Sequence, residues 1–335
     1  MKTKILFVER KFNEYVSIEK AFREIAAGLS GKFETEFQKL EYTNDIVGII
    51  KNFLFFRKKK ARLYHVTGHV HYIALIFPPD RTVLSMMDMG YLTRYTGIKL
   101  FVLNKLLLHW PVRRLKYITA ISEATKKEIV DNTGCDPDKI RVLDLPVLNH
   151  VNTPVKKDFD SENPRILQIG TMPNKNIPGL ARALKGIKCR LRIIGRMTED
   201  QRAVLTENGV DFDNAFDLSD EQLRNEYQQA DIVSFCSLHE GFGLPIIEGQ
   251  TMGRPVITSD LSPMIETSGR AAYLADPADP ASIREGIRKI IDDEAYRNTL
   301  VEKGFENSRR YDAAAIAKQY EDLYNEMLEK DEEKD

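Results

Sequence analysis

The sequence predicts an α/β protein of two Rossmann-like domains, each built on a parallel sheet. Three observations predict it. The chain has 335 residues, against a usual domain size of roughly 100–200 residues. Short apolar runs of strand length alternate with stretches long enough for crossover helices. The alternation breaks once, across the polar residues 148–164, and then begins again.

The elements follow in order. Ile5, Leu6, Phe7 and Val8 form an uninterrupted apolar run over 4–8, the mark of a strand buried on both faces, and 18–29 has helical spacing. Further strands are predicted at 61–66, 82–86, 117–120 and 140–143. Ser122 is expected to cap a helix over 123–132; Thr125 stands three residues on, so the acidic half of a capping box is missing. After the break come strand 165–169, helix 177–184, strand 190–194, helix 199–207, strand 231–236, helix 244–252 and strand 255–258. Helices at 282–292, 294–308 and 312–329 close the chain, with 330–335 read as a frayed charged tail. The expected domains are 1–157, 158–311 and a terminal helix with its tail over 312–335. Paired sheets of this kind usually present the C-terminal ends of their strands to a shared cleft, where chemistry is to be sought.

Charge separates the halves. The whole chain carries 49 basic and 50 acidic residues, which argues against a uniformly cationic nucleic-acid protein, and no nucleic-acid partner is expected. Residues 1–157 hold 27 Lys and Arg against 16 Asp and Glu, whereas 158–335 hold 22 against 34. The excess is concentrated in 49–117, with 13 basic residues and only Asp80 and Asp88 as acids. There Phe53, Leu54, Phe55 and Phe56 precede Arg57, Lys58, Lys59 and Lys60, and a similar mixture runs from Lys99 to Lys116 through Trp110. Such patches suit an anionic membrane surface. Cys135, Cys189 and Cys236 are too scattered for a disulfide framework, the apolar start is charged too soon for a secretory signal, and no apolar run reaches membrane-spanning length. A cytoplasmic location, peripheral at the inner face of a membrane, is the expectation.

The densest signal is His239-Glu240-Gly241-Phe242-Gly243-Leu244-Pro245-Ile246-Ile247-Glu248, which follows a strand and opens a helix. Gly241 and Gly243 permit close backbone approach, Pro245 suits a first helical turn, and the exposed amides of such a terminus favour phosphate. Glu240 and Glu248 bracket the turn.

This segment, followed by Gly253-Arg254-Pro255, resembles the diagnostic region of retaining glycosyltransferase family 4, within the glycosyl transferases group 1. The likeness extends through Ile169-Gly170, Asn174-Lys175-Asn176, Ile194-Gly195-Arg196 and the region from Tyr311 to Met327. It implies a GT-B fold whose C-terminal domain binds a nucleoside diphosphate sugar and whose N-terminal domain binds the acceptor. It also implies a last helix that crosses back to the first domain, and transfer with retention of anomeric configuration. No metal or other cofactor is expected. By the same resemblance Glu248 binds the nucleotide ribose and Glu240 lies near the donor sugar or the reacting face. Lys175 and Arg196 are candidates to neutralise the leaving diphosphate. Gly170, Thr171, Gly241, Phe242, Gly243, Leu244 and Glu266 complete the candidate donor contacts. The family commonly has an arginine where this chain has Thr171, so Arg196 is expected to supply the missing cation from the neighbouring loop.

In the first domain, His65, Thr67, Gly68, His69 and His71 fall close together. His65 reads as part of the strand, and no acid or cysteine partner is fixed nearby, so a zinc site is not expected. The family often has a His-Asp pair after the next strand; this chain has Met87-Asp88. Asp88 is kept as a catalytic candidate, with His69 or His71 filling the role of the missing histidine. Lys11, Phe12 and Tyr15 suit an acceptor-shaping loop. Asp136-Pro137-Asp138 and Asp211-Phe212-Asp213 have a metal-binding spacing without a supporting context. The expected acceptor is a saccharide or lipid-linked saccharide. The alternatives are a non-catalytic nucleotide-sugar sensor or assembly protein, and a related epimerase or glycan phosphorylase.

Overall fold

A computed structural model describes residues 2–11, 17–43, 45–89, 96–151, 154 and 156–332. The candidate loop residues Phe12 and Tyr15 lie outside the described residues. The chain divides into two compact units, Met1–Pro146 with Ala313–Asp335, and Val147–Asp312.

The first unit is built on a parallel six-stranded sheet of order β2-β1-β3-β4-β5-β6. Its strands are β1 (Thr3–Glu9), β2 (Phe33–Lys39), β3 (Leu63–Val66), β4 (Thr82–Met86), β5 (Tyr117–Ala120) and β6 (Ile140–Val142). Its helices are α1 (Ser17–Gly28), α2 (Ile46–Phe55), α3 (Gly97–Asn104), α4 (Trp110–Arg114) and α5 (Glu123–Thr133), with a 3-10 helix at His71–Ile76 and a π-helical turn at Lys105–His109. The Ser122 hydroxyl caps α5 by accepting from the Thr125 amide at 3.1 Å, and Gly134 ends it in the left-handed region.

The second unit repeats the scheme with order β12-β11-β10-β7-β8-β9. Here the strands are β7 (Arg165–Ile169), β8 (Arg190–Ile194), β9 (Asp211–Ala215), β10 (Ile232–Phe235), β11 (Val256–Ser259) and β12 (Tyr273–Ala275). The helices are α6 (Ile177–Leu184), α7 (Glu199–Glu207), α8 (Asp220–Gln229), α9 (Leu244–Thr251), α10 (Met264–Ser268), α11 (Pro280–Asp292) and α12 (Glu294–Ser308). Capping boxes start α7 at Thr198 and Gln201, and α8 at Ser219 and Gln222.

The last helix, α13 (Ala313–Glu332), belongs to the first unit and packs on α1. The approach is close because both surfaces are small: a Cβ on Gly28 would stand 2.6 Å from that of Ala317. Tyr320 meets Phe22 edge-on and Tyr324 reaches the buried His65.

Two boundaries differ from the sequence reading. The units part at Pro146, ahead of the polar stretch, because Val147, Leu148 and Val151 are buried in the second unit and the Val147 amide donates to the Tyr311 carbonyl at 2.9 Å. The tail expected to fray at 330–335 is helical through Glu332. Asp331 is buried there between Arg62, at 2.7 Å, and Arg81, at 2.9 Å.

Candidate functional site

The second unit gathers its charged groups at the C-terminal ends of β7 and β10. After β7 the chain turns at Gly170, whose φ of +91° is in the region that favours glycine. A Cβ there would stand 2.9 Å from Cε of Lys175, so the missing side chain is the space through which the lysine stem runs. Its Nζ lies 2.6 Å from Oε1 of Glu240 and 4.4 Å above the centre of the Phe235 ring. Asn174 donates through Nδ2 to the same carboxylate oxygen at 3.1 Å and to the His239 carbonyl at 2.9 Å. Its own carbonyl accepts from the Leu238 amide at 2.8 Å. The turn is fixed from below by Asn176, buried with a left-handed φ of 57°, which donates to the carbonyls of Cys236, at 3.2 Å, and Pro277, at 2.7 Å. Two loops far apart in sequence are thereby locked so that one ammonium and one carboxylate face each other.

Beside them Gly243 caps α9 with a φ of +114°, and Pro245 occupies its first turn. Glu248 is buried one turn further on, and the Tyr227 hydroxyl donates to its Oε2 at 2.5 Å. Burial first, and then the charge of Glu248, hold the Tyr227 phenol well above its ordinary range, so it stays protonated and keeps donating.

The remaining candidates are placed differently. Arg196 is exposed, pairs with Asp217 and lies 4.5 Å over the Phe216 ring, so the structure does not bring it to Lys175 and Glu240 as the expected compensation required. The Thr171 hydroxyl is taken up by the Arg196 carbonyl at 2.7 Å. Gly195, at φ +137°, leaves room for that contact, since a Cβ would meet the Thr171 side chain at 2.9 Å. Phe242 is a core residue, edge-on to Tyr311 at 5.6 Å, because the turn directs its ring inward. Gly241 and Leu244 are half-buried at the start of α9, and Glu266 is exposed on α10. Replacing Arg196 by alanine is therefore expected to change unfolding free energy by no more than ~1 kcal/mol, as for exposed ion pairs generally. Donor affinity is expected to be unchanged; calorimetric titration of wild type and variant checks this.

In the first unit, Nε2 of His69 lies 3.5 Å from Oδ2 of Asp88, each about a third exposed. His71 does not join them at a surface. It opens the 3-10 helix with its ring buried, Nδ1 donating to the Leu107 carbonyl at 2.8 Å, and burial pulls its pKa down to about 4. His65 lies in β3, as expected, and its ring is buried. Its two nitrogens engage the Tyr324 hydroxyl and Ser85 Oγ, both at 2.7 Å, and burial depresses its pKa to about 3. Met87 is buried. The Asp211-Phe212-Asp213 motif, read as lacking a strand context, lies in edge strand β9, where Asp213 pairs with Arg192. Among the described residues no group of three or more His, Cys, Asp or Glu side chains could hold a metal ion. Among the same residues no helix is long and apolar enough to cross a membrane.

Sequence reasoning missed Tyr227 and the bridging role of Asn174. Tyr227 sits on α8, an element passed over although Ser219 and Gln222 have capping-box spacing.

Residues 152–307 match the family model described as glycosyl transferases group 1. The D-inositol 3-phosphate glycosyltransferase of Corynebacterium kroppenstedtii is 30% identical over 112 residues, a stretch that is 33% of this chain and 25% of that protein. The chain thus spans about a quarter of that relative's length. The capsular polysaccharide biosynthesis glycosyltransferase CapM of Staphylococcus aureus is 25% identical over 326 residues, covering 87% of this chain and 83% of CapM. Among solved structures, Anabaena Alr3699/HepE in complex with UDP and glucose superposes with a TM-score of 0.76 at 15% identity, over 97% of this chain and all of that one. The two parallel sheets are those of the GT-B glycosyltransferase fold. The Gly-Phe-Gly-Leu-Pro turn seated between Glu240 and Glu248 lies inside the segment, residues 152–307, that matches the glycosyl transferases group 1 model.

Proposed function

We propose that the chain is a retaining, metal-independent glycosyltransferase. It moves a hexose-like unit from a nucleoside diphosphate sugar to a saccharide or lipid-linked saccharide in glycan or cell-surface polysaccharide synthesis, in the cytoplasm at a membrane face. The single observation that carries this reading is the 2.6 Å pairing of Lys175 with Glu240 beside the α9 terminus. Without donor, each group neutralises the other. A diphosphate brings competing negative charge to the lysine, while the carboxylate stays close to where positive charge develops on the sugar. Glu248, held by Tyr227, is an acceptor-only group suited to the paired hydroxyls of a ribose. The UDP and glucose bound to the Anabaena protein support a UDP-sugar as the first donor to try, and the capsular role in the CapM name supports a polysaccharide acceptor.

In the proposed step the acceptor hydroxyl oxygen bonds to the anomeric carbon on the face the diphosphate leaves. The carbon–oxygen bond to phosphate breaks with its electron pair going to the phosphate, which takes the acceptor's proton. Lys175 stabilises the charge that accumulates there. His69 and Asp88 are the proposed acceptor contacts of the first unit. The test is a thermal-shift screen of UDP-, GDP-, ADP- and dTDP-sugars, followed by turnover against soluble and extracted lipid-linked glycans. One donor is expected to stabilise the protein, by about 2.7 kcal/mol at a hundred times its dissociation constant. Nucleotide release and an α-configured product from an α-donor are then expected. Stabilisation without release on any acceptor would overturn transfer in favour of a sensor, and inversion would overturn retention.

A further inference from the structure

We infer that the α2 and α3 faces of the first unit form a docking surface for an anionic lipid bilayer. Helix α2 turns Gly48, Ile49 and Asn52 inward, with Asn52 Nδ2 donating to the Tyr72 hydroxyl at 2.8 Å. Its outer face is as apolar as its inner one. Val47, Ile50 and Leu54 follow one another at helical spacing and all are exposed, Leu54 by 71%. Helix α3 repeats this with Ile98, exposed by 84%, and Phe101, and Trp110 stands exposed at the start of α4. Both helices flank the same 3-10 segment. Phe53 of α2 packs on Tyr72 at 5.4 Å, and the π-helical turn that continues α3 accepts from His71 through Leu107.

Charge selects the occupant. From Ile46 to Pro79, and again from Met89 to Ser122, the sequence contains no acidic residue. Over the same stretches Lys58, Lys60, Lys99 and Arg113 are exposed, and Lys105 lies 5.6 Å over the Phe101 ring. A second copy of the chain pairing through this face about a two-fold axis would set like charges against one another. An anionic bilayer meets both features at once: its headgroups take the lysines and arginines, and its acyl boundary takes the side chains between them. Helix α2, with 10 residues, is about 15 Å long and so lies in the interface without crossing it. The inference deepens the proposed function, since a lipid-linked acceptor would be met at this surface, but its test uses neither donor nor turnover and fails independently of that reading.

The experiment is flotation of the whole chain with vesicles of phosphatidylcholine alone and of phosphatidylcholine with about 30% phosphatidylserine, at low and high salt. The chain is expected to float with the anionic vesicles, severalfold less with neutral ones, and less as salt rises. The variant Val47→Ser/Ile50→Ser/Leu54→Ser/Ile98→Ser removes only exposed apolar groups and is expected to cut the bound fraction by about tenfold while melting like the parent. The charge-reversal variant Lys58→Glu/Lys60→Glu/Lys99→Glu leaves the apolar face intact and is expected to abolish the preference for anionic vesicles. Failure to float with either vesicle, equal flotation with both, or flotation unchanged in both variants overturns the inference. So does a dimer in light scattering that the serine variant dissociates.

Discussion

Replacing Lys175 by methionine is expected to lower turnover by about 100- to 1000-fold, the usual consequence of removing one preorganised group that stabilises charge in a transition state. The substitution has a second effect that must be separated from the first. Lys175 and Glu240 are both largely buried, so the single variant leaves a carboxylate without its cation and costs stability as well, on the order of 1–3 kcal/mol. The double variant Lys175→Met/Glu240→Gln removes both charges and keeps a side-chain amide oxygen to which Asn174 can still donate. It is expected to recover the stability and none of the turnover. Steady-state kinetics on a donor found by the screen, with denaturant melts of all three proteins, check this. If the double variant regained wild-type turnover, the pair would be structural and the leaving group would draw its positive charge from elsewhere.

Acid is expected to destabilise the first unit well before its carboxylates titrate. His65 and His71 are buried neutral in the fold, with pKa values near 3 and 4, against 6.5 for the ordinary side chain. Below pH 6.5 the unfolded chain binds protons that the folded chain refuses, so stability falls as pH falls through the window between 6.5 and the folded values. Above that window these groups contribute no pH dependence. Each histidine gives a slope approaching ~1.4 kcal/mol per pH unit, and the two together remove on the order of 3 kcal/mol between about pH 7 and pH 5. Urea titrations at the two pH values check the sum. Imidazole carbon shifts that report both rings neutral at about pH 5 check the cause. A stability that is flat over this range, or rings that titrate near the ordinary value of about 6.5, would show that the interior yields to the protons.

How far the sequence was legible follows from where each element sits in its sheet. Interior strands such as β1, β7 and β10 are largely buried and mostly apolar, broken only by single polar residues such as Gln168 and Ser234, and are legible for that reason. The strands that were missed, β2, β9 and β12, are all edges. Their sequences, Phe-Glu-Thr-Glu-Phe-Gln-Lys, Asp-Phe-Asp-Asn-Ala and Tyr-Leu-Ala, are charged or short because an edge strand is wet along one side. In sequence, helix α2 resembles part of a basic-aromatic patch, since its outer face is as apolar as its inner one and the pattern has no polar side to mark a helix. At the site, the motif around Glu240 and Glu248 was visible because glycine and proline at fixed positions have few other uses. The partners of those acids were not, because a hydrogen bond between residues 65 apart, as for Lys175 and Glu240, leaves no local trace.

The two α/β sheets, the likeness of the second unit to the glycosyl transferases group 1 and the loops in which charged chemistry is concentrated are legible in the residues alone, since backbone preference and burial on neighbouring residues write these into short windows. Which charges meet is legible only in the packed fold. Packing set Lys175 on Glu240, sent Arg196 to Asp217 and buried Phe242 and His71. An ionic partner or a covered ring depends on distances of a few ångströms between segments remote along the chain, and those are fixed by packing rather than by residue type.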